Sequence, residues 1–396
     1  MPAVNTSPLA GVIIIADDLT GACDAAVGFS CRGWDTEVMT DWHRAAGASA
    51  KVVAINTESR EIPALEAAKR LASAARQLDI SHTTHIFKKI DSVFRGNTFD
   101  EIATTIREFP LDLAILAPAY PALGRTSMEG IVRVGDIVGE CTFDLRDRLD
   151  AAGLKHGHIA AGSTSEEVTE ALTVSLNEDH RLAYCDAGSD TDLNAIVRGA
   201  RKLGVRILWI GSAGLAYALA LNLSDIGGHA SSLSPQVPHP IPISGPVVFF
   251  AGSDHPVTQR QLLALRSQID VNEYPLDTHL LLEKKCTRTL IVEVRRGYTT
   301  KRDICTAMKD LGQRNVSCLF MTGGDTAALV CRALGIQSLQ LQNEFEPGLP
   351  RGIAVGGPFG GSTVILKSGG FGEADVLCRI ARTFHPGSQT RNEDAL

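Results

Sequence analysis

The nine cysteines never form a C-x-x-C pair, and no stretch approaches the roughly 18 apolar residues that a membrane span needs. An odd, unpatterned cysteine set in a chain this long points to reduced thiols and a cytoplasmic setting. The N-terminus lacks the basic-then-apolar pattern of an export signal. Positive charge is in deficit: the formal net charge is −7, which argues against nucleic-acid or membrane-surface partners, because both reward basic stripes. Neither G-x-x-x-x-G-K-S/T nor G-x-G-x-x-G after a strand occurs, so by motif the chain is neither a P-loop enzyme nor an ordinary dinucleotide binder. His82/His85 and His156/His158 have spacings that metals can use. No cysteine or carboxylate pattern completes such a site, and no metal site is assigned.

What is present fills two α/β halves. At 396 residues the chain exceeds the size at which single cores stop growing, so two domains are expected. With 44% hydrophobic residues it can bury a full core in each.

The stretch around which the chain is organised is Val12-Ile-Ile-Ile-Ala-Asp17-Asp18-Leu-Thr-Gly21. Its β-branched run predicts a strand buried on both faces, and the alanine-rich segment beyond predicts a helix. Asp18 or Thr20 can cap that helix; two adjacent aspartates exceed what one cap requires, so at least one should face a ligand. Lys51–Asn56 reads as a second strand, running into Thr57–Arg60. A helix follows Pro63, with Leu65, Ala68, Leu71, Ala72, Ala75 and Leu78 as its apolar stripe. His85–Ile90 and Leu111–Leu116 read as further strands, and Ile131–Val138, broken by Gly135-Asp136, reads as a small hairpin. Thr142–His180 reads as mixed helix and loop, followed by a strand at Leu182–Asp186 and another at Val205–Ile210.

Strands alternating with helices imply a parallel, doubly wound sheet whose strand ends share one edge. That edge would gather Asp17, Asp18, Arg60, Lys88, Lys89, Asp91, Ser92, Arg95 and Arg125. The cations suit a small anionic substrate, and the carboxylates suit hydroxyl groups, as acceptors or as a general base. Surface salt bridges are the plain alternative. Repetition of the pattern at successive strand ends favours a site. The turn Gly211-Ser212-Ala-Gly214 opens a helix, where it could receive an anion or simply turn tightly.

Between Gly227 and Pro246 the composition shifts to Gly, Ser, His and Pro, as in a linker. The domains are thus placed at 1–230 and 243–396, two doubly wound α/β domains with largely parallel sheets and a cleft between them. In the second, glycine corners follow strands at Gly252-Ser253 and at Gly323-Gly324-Asp325-Thr326, and a third lies at Gly370. Bare backbone lets N–H groups approach phosphate oxygens, and three such corners in one small domain favour a nucleotide phosphate site.

Ala16–Ala22, Lys89–Ser92 with Arg95–Asn97, Gly211–Ala216, Gly323–Ala327 and Lys367–Gly372 together resemble the signatures of the four-carbon acid sugar kinases. The resemblance spans nearly the whole chain, in the family's order. The segment after the 131–138 hairpin is shorter than is usual there. The family phosphorylates the terminal hydroxyl of D-threonate, D-erythronate or 3-oxo-tetronate with ATP. The resemblance implies that Asp17, Arg60 and the turn Lys89, Ile90, Asp91 and Ser92 contact the sugar acid. It implies that Ser253, Gly323, Gly324, Asp325, Thr326 and Gly370 contact ATP, with Mg²⁺ bridging its phosphates. Asp17 would position the attacking hydroxyl and accept its proton, and Asp325 could reach the Mg²⁺ or the ribose. The function expected is a 4-kinase of D-threonate or D-erythronate, with 3-oxo-tetronate as the alternative substrate and self-association left open. From other classes, a nicotinamide-dependent sugar-acid oxidoreductase and a non-catalytic sugar-acid binder are the rivals.

Overall fold

A computed structural model of the protein describes residues 11–78, 80, 84–109, 111–136, 139–224, 245–274, 288–311 and 316–385. It divides into two units, Met1–Ser232 and Leu233–Leu396. The Gly/Ser/His/Pro stretch 227–246 and His82 lie, but for residues 245 and 246, outside the described residues.

The first unit opens with β1 (Val12–Ala16), α1 (Leu19–Ser30), β2 (Thr36–Met39), β3 (Val52–Asn56), α2 (Ala64–Ala75) and β4 (His85–Lys89). It continues with α3 (Thr98–Glu108), β5 (Leu113–Ala117), β6 (Arg125–Met128), β7 (Ile131–Asp136), β8 (Gly139–Asp144) and α4 (Leu145–Ala151). β9 (Gly157–Ile159), α5 (Ser165–Asn177), β10 (Leu182–Cys185), α6 (Asp190–Lys202), β11 (Ile207–Gly211) and α7 (Ala213–Ser224) complete it. Eight of these strands form a sheet in the order β2-β3-β1-β4-β11-β5-β10-β9, every pair parallel. All five residues of β1 are buried, as a run of β-branched side chains covered on both faces requires. Ile13, Ile15, Val53, Ile55, Ile86, Leu208 and Ile210 share one core cluster. The chain leaves β1 for β2 and β3 on one side, then crosses to enter β4 on the other. The reversal of strand order therefore falls at β1, and Asp17 follows its carboxyl end, where open α/β sheets bind ligands.

Three expectations change. Ile131–Val138 is not a hairpin: β7 is the middle strand of a three-stranded antiparallel sheet, β6-β7-β8, and Asp136 pairs with Gly139 of β8. Leu65 is 70% exposed rather than part of the stripe. Helix α2 starts only at Ala64, so Leu65 lies in its first turn, ahead of the buried residues Ala67, Leu71, Ala72, Ala74 and Ala75. The stretch expected as mixed helix and loop contains β8, α4, β9 and α5; α4 is capped by Asp144, and α5 starts on a Thr164/Glu167 capping box.

The second unit contains β12 (Val247–Ala251), α8 (Pro256–Gln268), β13 (Asn272–Tyr274), β14 (Thr289–Glu293), α9 (Lys301–Leu311) and β15 (Cys318–Thr322). α10 (Gly324–Leu334), β16 (Ser338–Glu344), β17 (Pro350–Val355), β18 (Thr363–Lys367) and α11 (Val376–Phe384) follow. Its strands run β13-β14-β12-β15-β18-β17-β16, parallel except at β17, which is antiparallel to both neighbours. Phe249, Phe320, Ile365, Leu377 and Phe384 form its core. Both units are α/β with largely parallel sheets, as the strand–helix alternation predicts. Among the described residues, no helix is long and apolar enough to cross a membrane.

Candidate active site

Asp17 and Asp18 leave β1 in different directions. Asp18 is the cap of α1: its carboxylate accepts from the Gly21 N–H at 2.9 Å and from the Thr20 hydroxyl at 2.7 Å. A Cβ on Gly21 would sit 2.5 Å from Asp18 Oδ1, so only glycine admits this cap. Asp17 takes no part in capping. It receives the Arg60 guanidinium in a two-point bond, Nε to Oδ2 and Nη2 to Oδ1, both 2.8 Å. The same guanidinium bonds Asp18 at 2.9 Å and lies 3.6 Å from Asp91. Arg60 is thus held between the aspartates, a geometry that the strand-end reading did not foresee.

The turn after β4 adds the next layer. Asp91 accepts from Arg95 at 2.6 Å and from the Val93 N–H at 3.0 Å. Lys89 Nζ donates to the Ile90 carbonyl at 2.9 Å, and Arg125 bonds the Ser92 hydroxyl. Asn97 ties this turn to the Arg60 loop through the Ser59 and Ile62 carbonyls, at 2.9 and 2.8 Å. Gly96 has φ +76°, and a Cβ there would meet the Arg60 carbonyl at 2.8 Å, so this crossing also requires glycine.

Lys88 joins the expected gathering only through its charge, which pulls on Asp17, because its amine is paired elsewhere. Neighbouring strand residues point to opposite faces, so Lys88 and Lys89 cannot share one. Lys88 is fully buried and pairs with Glu101 at 2.6 Å, and Glu101 also accepts from the Ser59 hydroxyl at 2.5 Å. Counting Lys88 with its partner Glu101 as a neutral pair, the corner sets three carboxylates (Asp17, Asp18, Asp91) against four cations (Arg60, Lys89, Arg95, Arg125), a balance suited to an anion.

The two adjacent aspartates are electrostatically unlike. Burial raises Asp17 above the ordinary aspartate value of 3.8, against the pull of Arg60. Burial acts on Asp18 in the same sense, but Arg60, the Thr20 hydroxyl, Lys89 and the Gly21 N–H together hold it below that value. Neighbouring carboxylates pushed apart in this way can take different chemical roles. Asp91 lies low as well: burial opposes this, and Arg95 and Arg60 overcome it.

At Gly211–Gly214 the glycines serve close packing. A Cβ on Gly211 would meet the Ala117 carbonyl at 2.5 Å, and one on Gly214 the Ala119 carbonyl at 2.6 Å. The paired-histidine spacing at His156/His158 is also accounted for: His158 Nε2 lies 2.8 Å from the buried Asp186 carboxylate, and its ring stacks on Tyr184.

In the second unit the three glycine corners follow adjacent parallel strands in one register, Ala251 opposite Thr322 and Thr322 opposite Lys367. Their ends therefore meet. A Cβ on Gly252 would lie 2.1 Å from Thr326 Oγ1, and one on Gly369 2.3 Å from Ser253 Oγ. Gly323 adopts φ +94° as it opens α10, and its N–H donates to the Lys367 carbonyl at 3.0 Å. Gly370 faces the His255 ring. Asp325 is more peripheral, largely exposed and 3.7 Å from Arg296. Ser253, Gly323, Gly324, Thr326 and Gly370 thus converge, with Asp325 at the rim.

Two family descriptions match this chain: "Sugar-binding N-terminal domain" over residues 12–219 and "Nucleotide-binding C-terminal domain" over residues 300–377. A D-threonate kinase of Cupriavidus necator is 32% identical, over 92% of this chain and 96% of that protein. The chain belongs to the four-carbon acid sugar kinase family. As a member of it, the protein is an ATP-dependent phosphotransferase. A D-erythronate kinase of Heliobacterium modesticaldum is 26% identical, over 93% of this chain and 96% of its own. The same fold occurs in a crystal structure from Salmonella typhimurium LT2, with TM-score 0.75 and 21% identity, covering 94% of this chain and 99% of that one. It recurs in Haemophilus influenzae protein HI1011, with TM-score 0.68 and 22% identity, covering 92% and 97%.

The kinase has residues at these corners that the strand-end argument passes over. Glu101 sits on α3, beyond the strand ends. Lys367 is visible in the Lys-Ser-Gly-Gly run, but a lysine ending a strand carries no sequence mark that its amine is buried.

Proposed function

We propose that this kinase transfers the γ-phosphoryl group of ATP to the 4-hydroxyl of D-threonate or D-erythronate, with D-threonate favoured. The observation that carries the reading is the Asp17 corner: a carboxylate raised by burial, fixed by Arg60 and ringed by an excess of cations, at the switch point of the first sheet. The likeness to a D-threonate kinase supports the choice of acid.

In this reading Lys89 meets the sugar acid's carboxylate, and Arg60, whose fork is taken up by Asp17 and Asp18, adds its positive charge. The Lys89 amine has donors beyond its bond to the Ile90 carbonyl. Asp91 and Ser92, with the Ile90 backbone between Lys89 and them, align the hydroxyl groups. Asp17 orients the attacking hydroxyl and takes its proton as the new O–P bond forms and the bond to the β,γ-bridging oxygen breaks, releasing ADP. Ser253, Gly323, Gly324, Thr326 and Gly370 hold the nucleotide's phosphates. Among the described residues no three His, Cys, Asp or Glu side chains gather for a metal. Asp325 would supply a single carboxylate to a Mg²⁺ ion, which would neutralise phosphate charge. The cysteine usage supports a cytoplasmic setting: Cys185, Cys318 and Cys378 are buried free thiols.

A coupled ADP-release assay over D-threonate, D-erythronate and 3-oxo-tetronate tests the proposal. ADP release that requires a sugar acid and is fastest with D-threonate is expected. Fastest turnover of 3-oxo-tetronate would overturn the choice of acid, and no ADP release with any of the three would overturn the reaction.

A further inference from the structure

Lys367 ends β18 with its side chain fully buried, and among the described residues no charged group acts on it. Its amine donates to three neutral oxygens: Thr258 Oγ1 at 3.1 Å, the Ser368 carbonyl at 3.0 Å and the Gly369 carbonyl at 2.8 Å. Three acceptors match the three hydrogens of an ammonium, whereas a neutral amine has two. Thr258 Oγ1 already donates to the Gly369 carbonyl at 2.8 Å, so it is an acceptor toward Lys367. The lysine's own carbonyl receives the Gly323 N–H at 3.0 Å, so Lys367 joins two of the three glycine corners.

The turn geometry follows from this amine. In a trans peptide the carbonyl and the next N–H point in opposite directions. With the Ser368 and Gly369 carbonyls drawn onto Lys367, the N–H groups of Gly369 and Gly370 point away from it. Neither finds an acceptor among the described residues. Successive outward N–H groups backed by a buried cation make a concavity for an anion. A buried cation without a partner is costly, and desolvation lowers the Lys367 amine to about 7.

We propose that Lys367 is a positioning residue of the nucleotide corner, holding the 368–370 turn in its phosphate-accepting form and becoming fully protonated when a polyphosphate binds there. The proposal rests on reading the second unit as the ATP site. The groups that face the amine from the packed elements are neutral: Thr258 on α8, Thr322 at the end of β15 and the turn itself. The titratable neighbour in the corner is His255, whose Nδ1 accepts from the Val257 N–H at 3.2 Å and whose ring lies against Gly370. The Asp325 carboxylate is exposed toward Arg296.

Calorimetric titration of the full-length protein with ADP, at pH 8 in two buffers of different ionisation enthalpy, reads the proton directly. At that pH the wild type should take up close to one proton per ADP, and above neutrality its Kd should weaken by up to about tenfold per pH unit. The His255→Gln variant should keep the uptake. Lys367→Met should lose it, bind ADP at least tenfold more weakly, and raise KM for ATP without moving KM for the sugar acid. Lys367→Arg, which cannot release its proton, should bind without uptake. ADP binding by the wild type with no proton uptake, or uptake that survives in Lys367→Met, overturns the role of Lys367 and leaves the nucleotide site standing. No ADP binding by the wild type overturns the site itself. Should Lys367→Met fail to fold, the wild-type uptake and its persistence in His255→Gln decide the matter.

Discussion

Asp17→Asn is expected to lower kcat about a hundredfold while leaving KM for ATP unchanged. Removing a general base costs about a hundred- to ten-thousand-fold, and the loose transition state of phosphoryl transfer places the loss at the lower end. The amide keeps the side chain's shape and can still accept from Arg60, which also retains Asp18 at 2.9 Å. Thermal stability should therefore fall little. The cap of α1 belongs to Asp18, so a helix-capping effect cannot account for lost turnover at Asp17. Asp18→Asn should keep the cap, since Asn caps about as well as Asp. Because burial raises Asp17, the wild-type kcat should fall on acidification as this carboxylate takes up its proton, with a midpoint above the ordinary aspartate value of 3.8. That acidic limb should vanish in Asp17→Asn. An Asn variant with wild-type kcat would move the role to Asp91.

Lys88→Met should cost the largest loss of stability in the first unit. It leaves the Glu101 carboxylate buried with the Ser59 hydroxyl as its remaining side-chain partner. Stranding one member of a buried pair costs about 3–5 kcal/mol. At about 2–4 °C per kcal/mol for a unit of this size, the melting temperature should drop by roughly 10 °C. The double variant Lys88→Met/Glu101→Leu should recover much of the loss, because no charge is left without a partner. Thermal melting of the three proteins checks both outcomes. A drop below about 2 °C in Lys88→Met would show that the pair contributes little, as exposed ion pairs do.

The corner at β1 was legible because a β-branched run can only be a strand buried on both faces, and two carboxylates at its end must then lie on the sheet's ligand-binding edge. The glycine corners at Ser253 and Gly323 were legible for a related reason, since each follows an apolar run and opens a turn or a helix, whereas the strand that ends in Lys367 was not read. Which charge meets which was not legible. Arg60 could be placed at a strand end from sequence, but its two-point bond to Asp17 depends on a crossing that Gly96 and Asn97 make possible. Alternation along β4 could have separated Lys88 from Lys89, yet the partner of Lys88 lies on a helix thirteen residues further on. The sheet at β6-β7-β8 was missed because Arg125-Thr-Ser-Met128 lacks an apolar alternation, while Gly135-Asp136 imitates a turn inside a strand. Leu65 was misassigned because it shares helical spacing with the buried Ala72 yet lies in the exposed first turn of α2.

The claim that joins both units is transfer to the terminal hydroxyl of a four-carbon acid. The phosphorus spectrum of the product formed from D-threonate and ATP tests it directly. A phosphomonoester on C4 has its phosphorus split by the two protons of a CH₂ group, and this pattern is predicted, together with stoichiometric ADP. A phosphorus resonance split by one proton would place the ester on a secondary hydroxyl and contradict the account.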